Sequence, residues 1–82
     1  MPIKFSRRFD KDYHKSPSKI RSKFQQRLAL FLNNQQATPL NNHGLSGKWQ
    51  GYRSINITGD WRAIFVKAED DLVIFVALGT RG

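Results

Sequence analysis

The sequence predicts an α+β domain of order β-α-α-β-β-β, two N-terminal helices packed on a largely antiparallel four-stranded sheet. Three observations predict it. Apolar residues recur with a helical period between Phe5 and Leu32 and with a period of two from Tyr52 onward. A polar stretch carrying Pro39, Gly44 and paired asparagines separates the two patterns. Eighty-two residues, 39% of them hydrophobic, supply one small core and no second one, so residues 1–82 are expected to form a single domain.

Pro2 to Phe5 reads as a short edge strand, because proline lacks a backbone donor and is tolerated at a strand start. Ser6 is placed to cap a first helix in which Phe5, Phe9 and Tyr13 share one side. Ser16 before Pro17 signals the start of a second helix. There Ile20, Phe24, Leu28, Phe31 and Leu32 keep the helical period as far as Asn33 or Asn34. Gln35 to Ser46 is expected to be a long ordered loop. Beyond Gly47 a strand alternates Arg53, Ile55 and Ile57 against Tyr52, Ser54 and Asn56. Thr58, Gly59 and Asp60 supply a turn into a strand from Trp61 to Lys67. After a second turn at Ala68 to Asp71, Leu72 to Leu78 is apolar on both faces, as a central strand requires. Trp49 and Tyr52 are expected in the core, since burying an aromatic ring is strongly favourable.

Charge restricts function. Fourteen Lys and Arg against six Asp and Glu leave a net charge of +8, and nine of the cations precede Ser22 or lie within the next five residues, up to Arg27. An anionic partner, nucleic acid or an acidic protein, is the expected counterpart. The absence of cysteine rules out a disulfide framework, a thiolate metal site and a cysteine nucleophile. His14 and His43 lie too far apart, with too few acids, to read as a metal site, so no metal and no cofactor are assigned. The longest apolar run falls well short of the roughly 20 residues that span a bilayer, and the expected location is cytoplasmic, with no membrane partner.

The residues His43-Gly44-Leu45-Ser46-Gly47-Lys48-Trp49-Gln50-Gly51-Tyr52-Arg53, then Gly59-Asp60-Trp61-Arg62-Ala63-Ile64-Phe65, then Leu78-Gly79-Thr80, form a recognisable pattern. It resembles the RelE/ParE toxin superfamily and, within it, the YafQ-like branch of type II toxin–antitoxin mRNA interferases. That resemblance implies the RelE-like fold and a toxin that cuts mRNA on the ribosome and is neutralised by a cognate antitoxin. Cutting without a metal would use the ribose 2′-hydroxyl as nucleophile. The protein must then align it with the adjacent phosphate, take its proton and stabilise the added charge.

Carried over by motif, the resemblance makes His43 and Asp60 catalytic, His43 serving as base or acid and Asp60 orienting it or taking the proton, and Trp61 a stacking platform for an unpaired base. Two positions depart from the family pattern: Asn56 stands where the branch has a second histidine, and Arg81, followed by Gly82, stands where it has a histidine after Gly-Thr. Arg81 therefore either stabilises the transition state electrostatically or marks a weakened enzyme. Lys48, Arg53 and Arg62 are expected beside His43 as a phosphate cradle. Arg7, Arg8, Lys11, Lys15, Lys19 and Lys23 are expected to grip ribosomal RNA phosphates. The competing readings are a RelE-fold toxin that acts by binding, as a gyrase poison or an antitoxin-binding module, and a basic protein that coats RNA.

Overall fold

The computed structural model describes residues 1–81; Gly82 lies outside them. In chain order the elements are β1 (Ile3–Phe5), α1 (Arg7–Lys15), α2 (Ser18–Asn33), β2 (His43–Gly44), β3 (Arg53–Asn56), β4 (Trp61–Lys67) and β5 (Val73–Thr80). Single 3-10 turns lie at Thr38–Leu40, Gly47–Trp49 and Glu69–Asp71. One sheet runs in the order β1-β5-β4-β3-β2. Every neighbouring pair is antiparallel except β1 with β5. No helix among the described residues is long and apolar enough to cross a membrane.

Alternation along the strands sorts the side chains onto two faces. Ile55, Ala63, Phe65, Val73 and Phe75 point to the helices, where they pack with Phe9, Ile20, Phe24 and Phe31 in one cluster. The register of β4 and β5 passes from Phe65↔Phe75 to Ile64↔Ala77, so Val76 is a bulge. Because one extra residue flips the parity, Leu78 rejoins the core opposite Ala63, while Ala77 and Gly79 turn to the other face opposite Ile64 and Arg62. That second face is the more open of the two, although Ser54, Ile64 and Ala77 on it are buried, and the bulge shapes it.

Ser6 ends the β1 pairing and starts the helix. Its N–H donates to the Phe75 carbonyl at 2.9 Å, its hydroxyl donates to the Val76 carbonyl at 3.2 Å, and the same hydroxyl oxygen accepts from the Phe9 N–H at 3.0 Å. The helix cap and the bulge are thereby tied together. From there α1 runs beside the remaining half of β5, and the Asp12 carboxylate accepts from the Leu78 N–H at 3.0 Å, satisfying a donor that the sheet edge leaves unpaired. Asp12→Ala is expected to cost about 1–3 kcal/mol, because that donor loses its charged acceptor; a lowered urea midpoint with an unchanged slope checks it.

Two expectations are corrected. The sheet has five strands, not four, because His43–Gly44 pairs with Arg53–Ser54 inside what reads as a loop. Two residues are too few to show a period. The same stretch buries Leu40 completely through the Thr38–Leu40 turn. Ser16 does not cap α2, which begins at Ser18 behind Pro17. Its hydroxyl turns back to donate to the Asp12 carbonyl at 2.7 Å, so it closes α1 instead.

Candidate functional site

The open face carries two rows set by register. His43, Ser54, Ile64 and Ala77 lie side by side across β2, β3, β4 and β5, and Asn56, Arg62 and Gly79 form the next row. A groove runs over this surface, walled by Arg8 and Asp12 of α1 and by Trp49, and floored by Arg62, Ile64, Ala77 and Gly79. A side-chain carbon added at Gly79 would meet nothing within 4 Å, so the floor is open to a ligand. Trp49 hangs over it from a turn with positive φ at both ends, +67° at Gly47 and +91° at Gly51, conformations that strain any residue with a side chain.

His43 is held in a defined orientation. Its Nδ1 lies 2.8 Å from the Asn41 carbonyl, which can only accept, so Nδ1 carries the proton. Nε2 lies 3.5 Å from the hydroxyl of Ser54, a fully buried residue, and can accept from it. Arg81 continues past the end of β5 and its guanidinium hydrogen-bonds the Asn56 side chain. Cations therefore converge on one surface from β4, from α1 and from the end of β5. The one acid among the groove residues, Asp12, is engaged by the Leu78 N–H and lies 3.8 Å from Arg8. Among the described residues no three His, Cys, Asp or Glu side chains cluster as metal ligands would.

Of the residues singled out by sequence, His43, Arg62 and Arg81 share this face. Lys48 is exposed on the turn beside Trp49. Asp60 does not reach His43: it precedes by four residues the Ile64 that stands level with the imidazole, roughly 13 Å at the rise of a strand. Its backbone carbonyl instead accepts from the Arg81 N–H at 2.9 Å, which sets the path of the chain into Arg81. Arg53 belongs to the helix side of β3, where its Nε donates to the Asn42 side chain at 2.9 Å and clamps the loop. Trp61 shares the parity of Ala63 and Phe65 and packs against the core.

The aromatic over the groove is Trp49, which sequence had assigned to the core together with Tyr52; both are only half-buried, ring against ring at 5.4 Å and 78°. Arg7, Arg8, Lys11 and Lys15 line one surface of α1, whereas Lys19 and Lys23 sit on α2, in the layer behind the sheet. Ser54 and Asn56 were missed as site residues, although their alternation against Ile55 and Ile57 already turns them away from the core.

The family model for the bacterial toxin of the type II toxin–antitoxin system, YafQ, matches residues 1–81. The chain belongs to the YafQ family. Among solved structures this YafQ-family toxin is similar to YafQ from E. coli strain BL21(DE3), at 29% identity over 96% of this chain and 91% of that one, with a TM-score of 0.79. It also matches the E. coli DinJ–YafQ toxin–antitoxin complex, at 29% identity over 95% of this chain and 89% of that one, with a TM-score of 0.74. The YoeB/ParE toxin from Agrobacterium tumefaciens shares the fold, with a TM-score of 0.79 at 15% identity over the full length of both chains. Among curated proteins none matches. The chain is thus a RelE/ParE-superfamily toxin of the YafQ type, and the two positions at which it departs from the YafQ-like motif, Asn56 and Arg81, are bonded to each other.

Proposed function

We propose that this YafQ-family toxin is a metal-independent endoribonuclease that cuts mRNA on the ribosome and so stops translation. The observation that carries the reading is the imidazole of His43, with Nδ1–H tied to the Asn41 carbonyl and Nε2 held as an acceptor 3.5 Å from the Ser54 hydroxyl, on the face that bears Arg62 and Arg81. Nε2 takes the proton of a ribose 2′-hydroxyl, the 2′-oxygen attacks the adjacent phosphorus to form a 2′,3′-cyclic phosphate, and the bond to the 5′-oxygen breaks, that oxygen taking a proton from water; the hydroxide left behind then receives the proton held on Nε2. Guanidinium groups do not release protons at neutral pH, so Arg62 and Arg81 act on charge, stabilising the phosphate as it gains negative charge. Asn56 steadies Arg81 for that task. The exposed cations Arg7, Lys11 and Lys15 on α1 hold ribosomal RNA through its phosphates, without reading sequence.

The partner that silences the toxin is a cognate antitoxin, in keeping with the DinJ–YafQ complex whose toxin this chain resembles. We infer that a segment of it orders on binding. The chain is expressed with a reporter transcript and new 5′ ends are mapped by primer extension. Ends in frame with codons, dependent on translation, are expected.

A second reading, a toxin that acts by binding alone, is favoured by the pairing of Arg81 with Asn56, which leaves no imidazole at either position. Growth arrest with intact transcripts and altered DNA supercoiling would select it over cleavage.

A further inference from the structure

We propose that Trp49 and Arg8 form a slot that takes one unpaired nucleobase of the message by stacking, an assignment that rests on the ribonuclease reading above. Trp49 is a large aromatic that the fold holds away from the phenylalanine core, half-buried over the open face. The positive-φ glycines on either side fix its turn, and Tyr52 meets its ring edge-on, so the indole is set before any ligand arrives. On the groove side the Arg8 guanidinium lies over the ring, 5.4 Å from its centroid.

Arg8 is itself steered through a short chain of contacts. The Leu78 N–H holds the Asp12 carboxylate, and that carboxylate lies 3.8 Å from the Arg8 Nε. Indole and guanidinium thus offer two flat groups, one hydrophobic and one cationic, above an apolar floor of Ile64, Ala77 and Gly79. At 5.4 Å from the ring centroid the guanidinium already covers the indole, so a nucleobase takes its place there and Arg8, whose side chain is 66% exposed, swings outward to cover the other π-face. The nucleotide's phosphate meets Arg62 in the same groove, which gives the charge complementarity that a purely apolar ligand lacks. Stacking area, not hydrogen bonding, then sets the preference at this position, and purines are favoured over pyrimidines.

The chain has two tryptophans, so Trp61→Phe leaves Trp49 as the sole indole reporter. The full-length variant is titrated with a 2′-O-methyl RNA trinucleotide, which has no free 2′-hydroxyl to attack, and with a trinucleotide of equal charge lacking the central base. Quenching of Trp49 and about 5- to 150-fold weaker binding of the abasic probe are expected, the range that stacking of one base on an aromatic ring provides. Adding Trp49→Ala, which removes the last indole so that binding is read by calorimetry, should erase the difference between the probes, and Trp49→Phe, which keeps an aromatic ring in the same turn, should restore most of it.

Equal affinity for the two probes, a difference that survives Trp49→Ala in a folded variant, or no quenching at millimolar probe each overturns the slot. The titration needs no turnover. A chain that leaves mRNA intact but distinguishes the probes defeats the nuclease reading alone, and one that cuts mRNA but binds both probes equally defeats the slot alone.

Discussion

His43→Ala is expected to lower mRNA cleavage by about 10²- to 10⁴-fold, the contribution of a positioned general base, while leaving the fold intact. The imidazole sits half-exposed on a two-residue edge strand, and its polar contacts are the Asn41 carbonyl and the distant Ser54 hydroxyl. Asn41 is exposed, so water replaces the lost donor and stability should change by no more than about 0.5 kcal/mol. Asp60→Ala serves as the comparison. Its carboxylate lies at the far end of the β3–β4 hairpin from His43, and a smaller loss is expected there. Primer extension on a reporter transcript, paired with a thermal melt of each purified variant, separates lost chemistry from lost structure.

Phe75→Ala should do the reverse, destroying the fold without touching the groove. The Phe75 ring lies 5.5 Å from Phe24 and Phe65, 5.8 Å from Phe9 and Phe31, and 5.9 Å from Phe5, measured between centroids. It joins β1, both helices and β4 at a single point. Removing a phenylalanine from such a centre costs about 3–5 kcal/mol, a large part of the roughly 5–15 kcal/mol available to a small domain. At about 4–8 °C per kcal/mol the melting temperature falls by tens of degrees, read by circular dichroism. Phe5→Ala, on an edge strand and 41% exposed, should cost far less and is the natural control.

The element order was legible because it rests on long patterns. Ile20, Phe24 and Phe31 announce α2, and the alternation of Ile55 and Ile57 with Ser54 and Asn56 announces which face of β3 meets water. What stayed hidden depends on single residues. The bulge at Val76 exchanges the faces of Ala77 and Leu78 within an all-apolar run, where no polar residue marks the change. The β2 strand is invisible because His43 and Gly44 are too few residues to show an alternation. Parity also decides between the tryptophans: Trp61 shares the side of Ala63 and Phe65 and packs, half-buried, against the core, whereas Trp49 stands outside any strand and is carried to the groove by glycine geometry. For the same reason Arg53 and Arg62, both strand cations, end on opposite faces. The motif singles out His43 and Arg62, and register sets both on the face away from the core, but only register divides the remaining charged and aromatic residues between groove and scaffold.

The end groups of the cut message probe the chemistry itself, since an attack by the ribose 2′-oxygen leaves a different signature from an attack by water. The products of translated mRNA treated with this toxin are expected to carry a 5′-hydroxyl on the downstream fragment and a 2′,3′-cyclic phosphate, or the 3′-phosphate formed when it opens, on the upstream fragment. A 5′-phosphate facing a 3′-hydroxyl would contradict the account.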